Sequence, residues 1–267
     1  MKAYRYPKER IILALTVFLV FAVIAVTAVA TLCGSALFVL AMFVISFLFT
    51  RSHHKNLIEN AHPVTPRTEP RLADLVESCS KRLQSDSIKT FIAPQNVLNA
   101  YTFGILEPYG VVLYAGLLKI MDADELRFII GHELGHVSLG HTWLNSIIGG
   151  MAGIPSPGAA AVILYFAFRW WNRACEYSAD RAGMLACGNP QKAASALIKL
   201  VAARTDEGPQ QALSRINAED DYLGSNLREM LSTHPMTVRR LDALREYAAS
   251  PAYRRLQERI NKAHPIK

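Results

Sequence analysis

The chain has 267 residues, a formal net charge of +7 and 51% hydrophobic residues. That length allows one sizeable domain or two small ones, and the apolar content is high for a soluble protein. The positive charge comes with no nucleic-acid motif: basic residues sit beside an apolar run and in the last segments (Arg239, Arg240, Arg245, Arg254, Arg255, Arg259). That placement suits a surface near anionic headgroups, so no nucleic-acid partner is expected.

The apolar excess is concentrated. From Ile11 to Thr50 no residue is charged, and forty residues at about 1.5 Å each make roughly 60 Å of helix, twice the hydrocarbon thickness of a bilayer. The spacing predicts two spans, Ile11–Leu32 and Ala36–Thr50, turning at "TLCGS" (Thr31 to Ser35). A cleaved signal has an apolar region of about 7–15 residues, so this run is too long for one. Lipidation at Cys33 is disfavoured by the bulky Leu32 before it. Lys2, Arg5, Lys8 and Arg10 precede the first span, Arg51 and Lys55 follow the second, and the turn has no basic residue. Both flanks are therefore expected in the cytoplasm. The four cysteines, Cys33, Cys79, Cys175 and Cys187, show no C-x-x-C pair or disulfide framework and read as reduced thiols.

"HPVTPRTEP" (His62 to Pro70) holds three prolines in nine residues and reads as an extended linker. "RLADLVESCSKRLQ" has the apolar spacing of an amphipathic helix. From Thr90 to Ile120, short β-branched and aromatic runs are broken by Pro94, Gly104 and Pro108–Gly110, which predicts a small sheet. From Asp122 onward the pattern is helical.

The helix after Asp122 opens with a capping-box pattern, Asp122 followed three residues later by Glu125. It carries "FIIGHELGHVSLGH", an H-E-x-x-H in which two imidazoles one turn apart can grip one metal while the carboxylate between them reaches a water on it. At 100° per residue Leu126, Ile130, Leu134 and Val137 share one face, and His132, Glu133 and His136 lie on another. Such a motif also arises by chance, with two satisfied core histidines as the alternative. A catalytic zinc takes three protein ligands, and "WNRACEYSADRAGMLACGNP" offers Glu176 and Asp180 on one face of a helix running from about Asn172 to a stop at Gly188–Pro190. Glu176 can bind the metal while Asp180 accepts a hydrogen bond from a liganding imidazole. The alternative is two solvated carboxylates paired with Arg173 and Arg181.

At this point the chain resembles the HtpX-like and CAAX-prenyl-protease-type family of membrane zinc metallopeptidases. The resemblance is carried by "NAYTFG" (Asn99 to Gly104), "GVVLYAGLL", "ELRFIIGHELGHVSLGH", "EYSADRAG" and "THPMTVRRLDAL" (Thr233 to Leu244), in order from about Leu72 to Leu244. It implies one Zn2+ per chain held by His132, His136 and Glu176, with Glu133 as general base and Asp180 behind a ligand. It also places His234 near the metal, and Arg240 either tied to the active-site carboxylates or simply on the surface. His53, His54, His62 and His264 read as solvated; His141 projects to the apolar side and reads as packing or support for a ligand, not a ligand itself.

The expected fold is mainly α with a small β-sheet (α+β). Residues 1–52 form a two-helix transmembrane anchor, 53–70 a linker, and 71–267 a zincin-like metallopeptidase domain. Family members can carry two further membrane helices after the zinc motif, whereas this chain offers only Ser146 to Trp171, broken by Gly149, Gly150, Pro155, Pro157 and Gly158. The pieces are each too short to span. The segment 146–171 reads as a shallow membrane-dipping hairpin with Arg169, Trp170 and Trp171 at headgroup depth, or else as a buried core helix. Substrate is expected along "NAYTF" (Asn99, Ala100, Tyr101, Thr102, Phe103), whose backbone can pair with a peptide. The resemblance implies a membrane endopeptidase that acts on polypeptides and cuts damaged or unassembled membrane proteins in quality control. With the two spans and the flanking basic residues, the expected location is the inner membrane, multi-pass, with the catalytic domain facing the cytoplasm. The alternatives are a zinc-stabilised holding module without hydrolysis and a processing peptidase for lipidated peptides. An intact Glu133 favours the enzyme.

Overall fold

A computed structural model describes residues 3–30, 37, 40–41, 44–45, 47–48, 51–52, 59, 61–85, 88–104, 109–142, 159–205 and 237–266. Cys33, the turn at 31–35, much of the expected second span, residues 146–158 and His234 lie outside them.

Helix α1 (Glu9–Ala30) is the one helix among the described residues that is long and apolar enough to cross a membrane. Its outward side chains Ile11, Phe18 and Phe21 are exposed. Ile12 is buried instead against Trp171, Ala174 and Cys175, so the start of α1 rests on the protein.

The sheet has order β1-β2-β4-β3, built from β1 (His62–Pro63), β2 (Lys89–Ala93), β3 (Ala100–Phe103) and β4 (Gly110–Tyr114). β2 and β4 are parallel, β3 pairs antiparallel with β4, and β1 antiparallel with β2. Within the extended segment 53–70, His62 and Pro63 pair with Ile92 and Phe91. His62 and Pro63 form an edge strand, where proline's missing N–H is tolerated. Helix α2 (Pro70–Leu83) covers the core with Leu72, Cys79 and Leu83, its buried Arg82 donating to the carbonyls of His264 and Leu185.

After the short α3 (Ala115–Ile120), α4 (Ala123–Ser138) carries the histidine motif. Asp122 caps it in a complete capping box with Glu125, as its sequence predicts. α5 (Ala159–Cys187) is one continuous helix. This corrects one expectation: the helix runs from Ala159 rather than from near Asn172. Trp171 is 1% exposed, as the buried-helix reading of 146–171 expects, while its neighbour Trp170 is 48% exposed. The Trp171 side chain packs with Ile12, Ala174 and Cys175. α6 (Pro190–Thr205), α7 (Thr237–Ala249) and α8 (Pro251–Ala263) complete the described chain.

The α4–α5 crossing positions the site. A Cβ on Gly131 would stand 2.4 Å from Ala186 Cβ, one on Gly135 2.7 Å from Ala182 Cβ, and one on Gly183 2.6 Å from the Phe128 carbonyl oxygen. Glycine and alanine on both helices let the backbones approach, and the sequence between Ala179 and Ala186 is small where it meets α4.

Candidate metal centre

His132 and His136 leave α4 on the side facing α5, and their Nε2 atoms lie 3.1 Å apart. Glu176, on α5, places Oε2 3.6 Å from His132 Nε2 and Oε1 3.5 Å from His136 Nε2. The three side chains offer donor atoms all within 4.8 Å of one another. A tetrahedral site with bonds of about 2.0–2.1 Å separates its ligand atoms by roughly 3.3–3.4 Å, so the spacing fits two nitrogens and one oxygen around a small divalent ion.

The carboxylate is ready to serve. Burial alone would raise the Glu176 carboxyl, but Arg240 and the two imidazoles outweigh it and hold it well below its ordinary range. Arg240 extends from α7, with Nη1 2.9 Å from Glu176 Oε2. The same guanidinium grips Asp180 through Nε at 2.8 Å and Nη2 at 2.6 Å, a bidentate pair. Asp180, 2% exposed, accepts from His132 Nδ1 at 3.0 Å. Of the two sequence readings of Arg240, the geometry is that of a tie to the carboxylates. Arg181 lies over the Tyr247 and Tyr6 rings instead.

Glu133 is buried beside this cluster. Its burial pushes the carboxyl up to about 7, and His136, Arg240 and a hydrogen bond from Thr102 only partly oppose that. Thr102 belongs to β3, an edge of the sheet among the described residues, and its hydroxyl lies 2.9 Å from that of Thr142. Strand Ala100–Phe103 is therefore within reach of the motif helix, while Asn99 precedes it and offers its carbonyl to Tyr114. Tyr101 packs on Tyr114 and Phe103 on Phe91.

Sequence reasoning missed one participant. Glu9, at the first residue of α1, is 0% exposed and lies 3.1 Å from Nε2 of His141, whose Nδ1 is 3.1 Å from Nδ1 of His136. The available signal was a lone acid among Lys2, Arg5, Lys8 and Arg10 at the mouth of an apolar span. His141 itself is where the sequence places it, on the inner side and away from the donor atoms. Burial pushes its imidazole down to about 4, leaving it neutral.

Residues 66–248 match the model of a family described as peptidase family M48. The chain is 28% identical over 229 residues to a Protease HtpX homolog of Pyrococcus furiosus, covering 71% of this chain and 77% of that protein. It is 29% identical over 222 residues to a Protease HtpX homolog of Paenarthrobacter aurescens, covering 72% and 77%. A plastoglobule-localized metallopeptidase 48, chloroplastic, of Arabidopsis thaliana is 26% identical over 231 residues, covering 79% and 67%.

Proposed function

Since the chain belongs to peptidase family M48 and is a metallopeptidase acting on polypeptides, we propose that it is a membrane-anchored zinc endopeptidase with Glu133 as its general base. The observation that carries this reading is the convergence of His132, His136 and Glu176 with Glu133 alongside. Two imidazoles and one carboxylate are a common donor set of catalytic zinc. When bound, the metal supplies Lewis acidity toward the scissile carbonyl and acidifies the attacking water. Glu133 takes the proton and delivers it to the leaving amine, a task suited by a carboxyl whose burial brings it near neutral pH. Thr102 holds the carboxylate from the β3 side. Asp180 keeps the His132 proton on Nδ1, which leaves Nε2 free for the metal. Arg240 balances the charge of both carboxylates. His234, which the resemblance places near the metal, is proposed as the hydrogen-bond donor to the developing oxyanion.

Substrate lies extended against β3, where Asn99, Ala100, Tyr101, Thr102 and Phe103 offer backbone groups for strand addition. The edge position of β3 among the described residues and its closeness to Glu133 support that placement. The exposed apolar side of α1 supports a membrane anchor, the proposed substrates are damaged or unassembled membrane proteins, and the catalytic domain faces the cytoplasm. Reporter fusions at Lys2 and Lys267 test that orientation: both report cytoplasm, and an opposite signal at either end removes the two-span anchor. The function itself is tested with Glu133→Gln, by metal content and casein digestion on detergent-purified protein. The variant binds zinc and does not digest; digestion at the parent rate overturns the assignment.

A further inference from the structure

Both motif histidines have their outer nitrogens occupied, but by different groups. His132 Nδ1 faces the Asp180 carboxylate. His136 Nδ1 faces another imidazole, His141, which continues to the carboxylate of Glu9. Glu9 also accepts from the Ser178 hydroxyl and from Arg5, and Arg5 donates to the Leu139 carbonyl at 3.0 Å, next to the end of α4. With Glu9 at 0% and His141 at 2% exposure, bulk water does not substitute for these partners. An acid at the head of an apolar helix is costly to bury unless its charge is used, and here its partners lead to the motif.

The protons along this chain have one arrangement compatible with a metal. A histidine that gives its Nε2 lone pair away carries its proton on Nδ1, so His136 donates from Nδ1. Nδ1 of His141 must then accept, which fixes the His141 proton on Nε2. That N–H points at Glu9, and a carboxylate can only accept. The reverse arrangement presents an N–H from His141 to His136, moves the His136 proton to Nε2 and blocks the metal-binding lone pair. It would also face the Glu9 charge with a bare ring nitrogen.

We propose that Glu9 and His141 are positioning residues of the metal centre, through which the first turn of α1 holds His136 in the tautomer and ring orientation that bind the metal. The proposal rests on His132, His136 and Glu176 being the metal donors. It makes the start of the membrane helix part of the site as well as an anchor.

The test measures Zn(II) affinity of the full-length protein in detergent by competition with a calibrated chelator, and the visible absorption of the Co(II)-loaded protein. His141→Leu keeps bulk but offers no acceptor, and affinity falls by about ten- to hundredfold, the range that such outer partners command. His141→Asn puts an amide oxygen where Nδ1 stood and recovers part of that loss. Packing alone predicts the opposite order, since a buried asparagine cut off from good partners is worse than leucine. The comparison therefore survives a loss of stability in either variant. Glu9→Gln, whose amide can donate as well as accept, permits the wrong tautomer and falls between parent and His141→Leu. Ser178→Ala, which disturbs the same contact without breaking the proton chain, stays within a few-fold of parent by the same reasoning. The Co(II) bands shift in His141→Leu and not in Ser178→Ala. If His141→Leu binds Zn(II) as tightly as His141→Asn, or if Ser178→Ala costs as much as Glu9→Gln, the pair serves packing and the proposal is overturned. Glu176→Gln is measured alongside: parent affinity in that variant means that the donor assignment itself has failed.

Discussion

Glu125 and Glu133 stand eight residues apart on α4, both nearly buried, and their surroundings push them in opposite directions. Burial opposes ionisation of Glu125, but Lys199, Ser195 and the Asp122 backbone N–H outweigh it and hold the carboxyl below its ordinary value. Glu133 has the Thr102 hydroxyl and more distant charges, so burial prevails and its carboxyl rises to about 7. One helix thus carries a carboxylate whose hydrogen bonds are satisfied and another left able to exchange a proton. In the proposed mechanism the difference separates a group that holds the helix from the general base, and low exposed surface does not by itself distinguish them.

The largest expected effect breaks the comparison at its active end. Glu133→Gln lowers kcat/KM by about 10²–10⁴-fold, the usual contribution of a positioned base, while zinc content and thermal stability stay near parent. Equal losses from Glu125→Gln in properly folded protein would erase the distinction. Next comes the ligand set. Glu176→Gln exchanges an anionic oxygen for a neutral one and lowers zinc affinity by at least about ten- to hundredfold. Asp180→Asn acts more mildly, because its amide oxygen still accepts from His132 without the charge that raises imidazole basicity. Chelator competition gives the order, and an Asp180 variant that loses more zinc than the Glu176 variant would exchange their roles.

The active half of this contrast was legible because its chemistry is local. H-E-x-x-H places the two proposed donors and the proposed base within five residues, and Glu176 with Asp180 repeats a helical spacing on one face. The capping box at Asp122 and Glu125 was equally readable, since it depends on three-residue periodicity. What the sequence hid depends on contact between distant segments. His62–Pro63 looked like linker because proline disfavours strands, yet an edge position removes that objection. Trp171 suited an interfacial or a buried position by type, and its burial depends on where α1 lands. Glu9 lies 132 residues from His141, and no periodicity links a charge at the mouth of one helix to a histidine beyond the end of another.

On either side of Glu133 the helix packs on α5 through Gly131 and Gly135, which gives a smaller test. Gly135→Ala would place a methyl carbon 2.7 Å from Ala182 Cβ and 3.1 Å from Ala179 Cα, so one helix has to retreat. Overpacking of this kind costs about 1–3 kcal/mol. The retreat also moves α5, and with it Glu176, away from the imidazoles. The expectation is a lower Tm together with weaker zinc binding, read by thermal unfolding and chelator competition on the same samples. A variant with reduced Tm and undiminished zinc affinity would mean that the crossing supports the fold without setting the donor spacing.

The smallest effect sharpens the comparison at its structural end. Glu125 receives the Asp122 N–H at 2.9 Å, the Ser195 hydroxyl at 2.7 Å and Lys199 at 2.6 Å, joining the start of α4 to α6. Glu125→Gln retains the shape but loses the charge, and the cap and charge-assisted bonds together lose about 1–2 kcal/mol, discounted because Lys199 is partly in water. The pH dependence has a definite sign. A carboxyl held below its ordinary 4.5 in the folded state binds fewer protons there than in the unfolded chain. Its contribution is therefore complete above that ordinary value and disappears as pH falls through the lowered folded pKa. Parent and Glu125→Gln should differ in Tm at neutral pH and converge as acid protonates the parent, with kcat/KM at neutral pH unchanged by the substitution. A Tm gap that persists undiminished well below pH 4.5 would show that the variant loses packing rather than charge, and Glu125 would no longer be the ionised counterpart of Glu133.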